Sequence, residues 1–360
     1  MRLEDSPLVA VLRDPSHMAI FDMEQWDLAI RQARAANLLG RLAVWASTPP
    51  LRDRVPQWVM RHMNAEISIV EKQTTAVHWE VKHIARALQG SGIPAVLLKG
   101  AAYAAAGLPA AIGRSFADVD ILVPKADLAE VEKLLFLKGW TTGNISAYDD
   151  RYYRQWMHEL APMHHMIRLT PLDVHHNILP ETARIQTRPE LILRDALRLP
   201  GYDKMFIPSR TDQILHSATH LFHEGEWHHG LRDLSDIDLL IRAYSSEPAF
   251  WSDLTARAAD LNLQAPLLHA LRCLQRIFHT PIPEVPEQLG SVHGPVPRWS
   301  SLDAVFVSGL ASVHDSFRTK WSGLAEFVLY IRSHWLRMPL RLLIPHLVHK
   351  SLTRVERSPD

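Results

Sequence analysis

Cysteine is almost absent from this sequence: Cys273 is the one thiol in 360 residues. An intramolecular disulfide and a thiolate zinc cluster are thereby excluded, and a reducing cytoplasm is compatible with the chain. Net charge is also lacking. Lys+Arg and Asp+Glu total 39 each, a formal charge of zero with histidine neutral. Gripping nucleic acid over a broad surface requires an excess of cations against the phosphates. No extended nucleic acid is therefore expected as a partner, although a local basic patch stays open. Long apolar runs are missing too. No window offers about 18 apolar residues without charge, so no membrane span is read. Glu4, Asp5, Arg13, Asp14 and Pro15 interrupt the N-terminal stretch, so no signal peptide is read. A cytoplasmic protein is expected. Against these absences stand 47% hydrophobic and 22% charged residues, ordinary for a globular chain. The 21 histidines would add positive charge below about pH 6.5.

Residues from about Met23 to Gln89 read as helical. Trp26, Ile30, Ala33 and Leu38 recur at three- and four-residue spacing, as do Val59, Met63, Ile67 and Val70, and Pro49-Pro50 separates the two stretches. After Gly90 the pattern changes. Ala95-Val96-Leu97-Leu98 is a short apolar run that suits a buried strand. Lys99-Gly100 follows, then a helix-forming stretch from Ala101 to Ala106. Val119 to Val123 reads as a strand stopped by Pro124, and Ala126 to Lys138 as an amphipathic helix ended by Gly139. Met166 to Leu169 and Leu172 to His175 read as two short strands around Thr170-Pro171. Beyond about Pro189 the chain is helical again, including Leu231 to Ile241. Pro281, Pro283, Pro286, Pro295 and Pro297 mark a loop-rich connection.

The chemistry is concentrated in Asp118-Val119-Asp120. Residues two apart on a strand share a face. Two carboxylates on one face repel, and one pKa rises unless a cation sits between them. Magnesium prefers hard oxygen ligands and bridges carboxylates to substrate phosphates. Asp173, in Leu172-Asp173-Val174-His175, is the best candidate for a third ligand. Three carboxylates could hold two metals, one at the attacking oxygen and one at the leaving group. An isolated Asp-x-Asp is more often a solvated strand end; its position between a strand ending in Lys99-Gly100 and a later Asp-bearing strand raises its weight. Gly100 lets a backbone approach a phosphate closely, and the start of the next helix offers free N–H groups to an anion.

Val96-Leu97-Leu98-Lys99-Gly100, then Arg114, then Asp118-Val119-Asp120-Ile121-Leu122-Val123, then Asp173-Val174-His175 together resemble the uncharacterised nucleotidyltransferase family of bacteria, within the DNA polymerase β-like nucleotidyltransferase superfamily. The resemblance is strong from about Ala95 to Leu179 and weaker to about Ile241. It implies a small mixed sheet flanked by helices, with Asp118, Asp120 and Asp173 as ligands of Mg2+, two ions in the full arrangement, and a nucleoside triphosphate as co-substrate. The wider superfamily shows Gly-Ser or Gly-Gly where this chain has Lys99-Gly100-Ala101. Lys99 could hold a phosphate as a point charge. Arg114 and Ser115 could touch phosphates as well, Arg114 through its fork of donors; a pairing of Arg114 with Asp118 or Asp120 is the competing reading. His175 shares the face of Asp173 and could contact substrate.

Other signals compete. His216 and His220 have the spacing of a helical metal pair, but no Glu follows the first His as in a His-Glu-x-x-His protease, and surface or core histidines explain most of the 21. Asp236-Ile237-Asp238 lies on a helical pattern, where the two side chains diverge by about 200°. Asp233 and Arg232 could approach the cleft, with solvated helix-surface charge as the plainer reading. The segment from Leu324 to Val355 mixes Phe327, Trp335 and leucines with Arg332, Arg337, Arg341, Lys350 and Arg354. Such basic amphipathic helices lie on anionic membranes, and a helix packed on its own domain gives the same pattern.

The expected architecture is α+β: a helical N-terminal region (1–90), a small mixed-sheet nucleotidyltransferase-like domain (91–185), a helical domain completing the cleft (186–280), and a proline-rich connection with basic apolar C-terminal helices (281–360). The expected reaction transfers a nucleoside monophosphate from a triphosphate to a hydroxyl or other nucleophile of a small molecule, sugar, peptide or protein. An inactive protein holding a partner on the same fold, phosphoryl transfer on a related scaffold, and a zinc hydrolase are the alternatives. The acceptor, the base of the triphosphate and the oligomeric state are not written in the residues.

Overall fold

The computed structural model describes residues 1–225, 227–283 and 301–345. The expected proline-rich connection lies outside the described residues from position 284 to 300, as do Lys350 and Arg354 of the basic C-terminal stretch.

Four helices build the N-terminal region. Ser6 caps α1 (Pro7–Arg13) by accepting from the Val9 amide. Asp22 and Gln25 form a reciprocal capping box at α2 (Met23–Ala35), satisfying two amides that the first turn leaves open. The helix α3 (Leu39–Ala46) follows, and after the Pro49-Pro50 break comes α4 (Gln57–Ala87). Val59, Met63, Val70, Val77, Val81 and Ile84 form the buried stripe of α4, the 3.6-residue period anticipated for this region.

A seven-stranded mixed sheet follows: β1 (Ala95–Leu97), β2 (Val119–Leu122), β3 (Trp140–Thr141), β4 (Met163–His165), β5 (Pro171–His175), β6 (Leu197–Arg198) and β7 (Met205–Ile207), in the order β3-β4-β5-β2-β1-β7-β6. The α+β expectation with helical regions at both ends is met. At the centre β2 runs parallel to β5 and antiparallel to β1. Both are fully buried over Val119, Ile121, Leu172 and Val174. Between the strands stand α5 (Lys99–Ala105), α6 (Leu128–Phe136) and α7 (Ala147–Trp156).

One strand expectation is corrected. Met166 to Leu169 is a turn, and the strand lies earlier, at Met163–His165. Met163 and His165 are buried while His164 is exposed, the alternation a half-buried strand requires. Leu169 takes φ 58 in the turn, and Arg168 is drawn to Glu80 of α4 at 2.7 Å. Met166, Ile167 and Leu169 are left in solvent, so their apolar character does not mark a strand.

The chain closes with α8 (Pro189–Arg194), α9 (Arg210–Thr219), a π-helical turn His220–Glu224, α10 (Gly230–Tyr244), α11 (Phe250–Asp260), α12 (Gln264–Phe278), α13 (Ser301–Ala311) and α14 (Ser322–Arg337). A single apolar cluster extends from Leu3 through the sheet to Leu329. Within it sits a buried charge cluster. Asp236 of α10 pairs with Arg41 of α3 at 2.7 Å and with Arg114 at 2.8 Å. Arg41 also donates to the Ala110 carbonyl and to Ser235 Oγ, each at 2.8 Å. One carboxylate thus ties the N-terminal helices, the segment leading into β2 and the helical wall together.

Two outcomes follow from this packing. Asp236→Ala strands two buried guanidinium groups and should lower the unfolding free energy by about 3–5 kcal/mol in urea titration; a loss below about 1 kcal/mol, the scale of an exposed pair, would contradict the stapling role. His223, in the π-helical turn, is pushed down to about 3 by burial and then by Arg332 and Arg337. It stays neutral in the fold while the unfolded chain takes up a proton below about pH 6.5. Its contribution is therefore present at pH 7 and lost as pH falls, by about 2 kcal/mol at pH 5. His223→Gln should lose correspondingly less stability between pH 7 and pH 5 than the unaltered chain. Identical losses would contradict it.

Candidate active site

The register of two central strands brings the acidic residues together. Asp120 of β2 lies opposite Asp173 of β5, and in-register neighbours on parallel strands present their side chains to the same face. Asp118 stands one residue before β2 and two before Asp120, so it joins that face. Ligand oxygens of Asp118, Asp120 and Asp173 all lie within 4.8 Å of one another. Three carboxylates this close repel strongly. Burial, Asp120 and Glu159 push Asp173 up to about 7; burial and Asp120 raise Asp118 as well. Burial would raise Asp120 too, but Lys99 and His175 outweigh it and hold this carboxyl well below the usual range. Lys99 Nζ is 3.8 Å from Asp120 Oδ2.

The donor set fits a hard divalent cation. All three ligands are carboxylate oxygens, and Asp173 Oδ1 is buried without a hydrogen-bond partner. A cation would relieve both the repulsion and the unsatisfied oxygen. Behind the trio, His175 Nε2 lies 3.6 Å from Asp120 Oδ1 and Nδ1 lies 3.3 Å from Glu159 Oε2. Flanked by two acids, His175 is raised from its ordinary value despite its burial. It packs against Asp120 and Glu159, and, like Asp173, it is not among the residues that line the cleft, which Asp118 and Asp120 reach. His158, Glu159 and His175 form a second group whose ligand atoms lie within 4.8 Å of one another. His216 and His220 join neither group.

Beside the acids opens a cleft of about 400 Å³, lined on the sheet side by Lys99, Gly100, Arg114, Ser115, Asp118 and Asp120. Lys99 is held at φ 41 in the turn from β1 into α5, a conformation that L residues adopt at a cost and that clusters at functional sites. A Cβ on Gly100 would come within 2.2 Å of Arg114 Nη1. The glycine thus admits a guanidinium of this chain, a role the sequence reading did not assign to it. Arg114 pairs neither with Asp118 nor with Asp120: its Nε donates to Asp236, and its guanidinium lies 5.4 Å from the Phe116 ring centre. Ser115 Oγ donates to Asn37 Oδ1 at 2.8 Å, and the Phe116 amide donates to Gln73 Oε1. The turn between α2 and α3, through Asn37, and α4, through Gln73, thereby fix the loop that feeds β2.

The opposite wall belongs to His220, His228, His229, Arg232 and Asp233. Asp233 is buried and accepts from Arg232 at 2.8 Å, so the reading of these two as solvated helix-surface charge is corrected. Their side of α10 turns into the cleft because Leu231, Leu234 and Ile237 fill the core. Asn37, Gln73 and Glu159 escaped the sequence reading. They lie far apart in the chain, and no local motif connects them.

The fold and site define a mixed sheet that presents three carboxylates beside a cleft rich in cationic and histidine side chains. The chain belongs to the uncharacterised nucleotidyltransferase family, whose profile matches residues 22–279. No curated protein and no solved structure matches it.

Removing one charge from the trio should separate repulsion from binding. Asp173→Asn is expected to raise the melting temperature of the metal-free protein by about 2 °C or more and to abolish the further rise that magnesium gives the unaltered chain. A lower melting temperature with an undiminished magnesium response would contradict a shared cation site.

Proposed function

We propose that the chain transfers a nucleoside monophosphate from a nucleoside triphosphate to an acceptor hydroxyl, or another nucleophile, with release of pyrophosphate. The observation that carries this reading is the convergence of Asp118, Asp120 and Asp173 within 4.8 Å beside a cleft lined by Lys99, Arg232 and Ser115. Membership of a nucleotidyltransferase family supports it, and the order of glycine turn, Asp-x-Asp strand and third Asp strand favours the DNA polymerase β-like superfamily. The three carboxylates would hold Mg2+, which when bound supplies charge neutralisation at the reacting phosphate and lowers the pKa of the attacking oxygen.

The remaining work falls to side chains of this chain. Lys99, at the strained turn, and Arg232, across the cleft, neutralise the triphosphate from opposite sides. Ser115, held by Asn37, offers a neutral contact in the loop before Asp118. Arg114 is tied to Asp236 and acts by shaping the floor beside Gly100. Asp173, the carboxylate with an unsatisfied oxygen and a raised pKa, would take the proton of the acceptor. In-line positioning in a site whose dipoles are already oriented accounts for most of the catalysis. Neutral overall charge favours a small molecule, sugar, peptide or protein over a long nucleic acid as acceptor.

The test uses α- and γ-labelled triphosphates with magnesium and candidate acceptors. Label from the α-position alone should enter the product, and Asp120→Asn should reduce the rate by about a hundredfold or more, several kcal/mol of lost metal-assisted stabilisation. Transfer of γ-label instead would replace nucleotidyl by phosphoryl transfer. Triphosphate binding without transfer of either label to any acceptor class would favour a substrate-holding protein.

A further inference from the structure

The helix α14 turns small and partly polar residues inward and large apolar residues outward. Its buried residues are Ser322, Ala325, Leu329 and Ser333, with Leu329 against Gly309 of α13 and Ser333 against Gly225. The side facing solvent carries Leu324, Phe327, Val328, Ile331 and Trp335, which are 55%, 60%, 38%, 50% and 43% exposed. These five positions recur at three- and four-residue spacing and form one continuous stripe free of charge. A helix that packs on its own domain keeps apolar residues inside and polar ones outside. Here the distribution is inverted, because the buried side is the more polar one.

Along this part of the sequence the charge is almost all of one sign. From Arg318 to Arg354 the sequence holds a single acid, Glu326, among repeated Arg and Lys residues, although the whole chain has zero formal charge. Glu326 is itself neutralised by Arg318 at 3.0 Å. Each end of the stripe bears a tryptophan with a cation beside it. Lys320 Nζ lies 5.5 Å from the ring centre of Trp321, and the Arg184 guanidinium lies 3.6 Å from that of Trp335. Tryptophan at the rim and cations beyond it are the composition of a helix lying in a bilayer interface. Among the described residues no helix is long and apolar enough to cross a membrane, so the contact would be peripheral.

We propose that α14 docks on an anionic lipid bilayer, with Leu324, Phe327, Val328, Ile331 and Trp335 entering the interface and Lys320 and Arg184, beside the two tryptophans, meeting the headgroups. A second copy of the chain fits the stripe less well, since two cationic rims would face each other. Arg332 of α14 donates to the Phe222 carbonyl in the turn that also carries His220 of the cleft wall, so the helix is joined to that wall on the side away from the stripe. The proposal is independent of the reaction performed in that cleft.

The full chain is tested by co-sedimentation with vesicles of phosphatidylcholine alone and of phosphatidylcholine with phosphatidylglycerol, beside the double variant Phe327→Glu, Ile331→Glu. Both positions are exposed, and an unchanged melting temperature checks that the variant folds. Binding to the anionic vesicles is expected to exceed that to neutral vesicles by about tenfold, to weaken in high salt, and to fall by about tenfold or more in the variant. Equal recovery of variant and unaltered chain, or no binding to anionic vesicles, overturns the proposal. An unaltered chain that ignores vesicles but is dimeric, with a monomeric variant, assigns the stripe to a second copy. Should the variant prove misfolded, Phe327→Ser is expected to give the same ordering with a smaller loss, and an undiminished recovery would again overturn the idea.

Discussion

Mutual repulsion among three carboxylates on one face of two parallel strands is the constraint around which this structure is arranged. Asp120 and Asp173 meet through strand register, and Asp118 joins them through the two-residue period of the chain leading into β2. The surroundings manage this concentration of negative charge without removing it. Lys99 and His175 hold Asp120 in its charged form, while Asp173 is pushed up to about 7. A purely structural cluster would be expected to pair every acid with a cation or to let one of them become apolar. The third carboxylate, Asp173, keeps an unsatisfied oxygen next to two acids that line the cleft, and that is the observation on which the proposed cation site rests.

The supporting network reaches far beyond the strands. Asp236 draws Arg41 and Arg114 into the core, so the loop preceding Asp118 is anchored at once to the N-terminal helices and to α10. Asn37 and Gln73 hold the next two residues of that loop. Helices on both sides of the sheet domain are therefore part of how the loop before Asp118 keeps its shape. Buried ion pairs of this kind add little net stability when intact and cost much when halved, which suits them to fixing geometry.

Much of this was legible in the residues. The apolar periods of α4 and α10, the short run of β1 and the Asp-x-Asp of β2 each rest on a local pattern, and local patterns are what a sequence displays. The displaced strand shows where such reasoning fails. Met166, Ile167 and Leu169 look like core, yet a positive φ at Leu169 and the pull of Glu80 on Arg168 turn them outward. Gly100 and Arg114 were both singled out, but their relation was hidden: the glycine makes room for that arginine, and the arginine serves Asp236. Glu159, Gln73 and Asn37 were invisible because each acts through a partner far away in the chain. Tertiary pairing of single polar residues leaves no periodic trace.

The central claim is that Asp118, Asp120 and Asp173 bind one shared divalent cation site. Anomalous scattering at the manganese edge, from crystals grown with Mn2+ and a non-hydrolysable nucleoside triphosphate, reads this directly. The account predicts a peak bonded to oxygens of all three residues at about 2.0–2.3 Å, with triphosphate oxygens completing the coordination. A peak at His158, Glu159 and His175 in its place, or one that leaves Asp173 outside the coordination sphere, would contradict it.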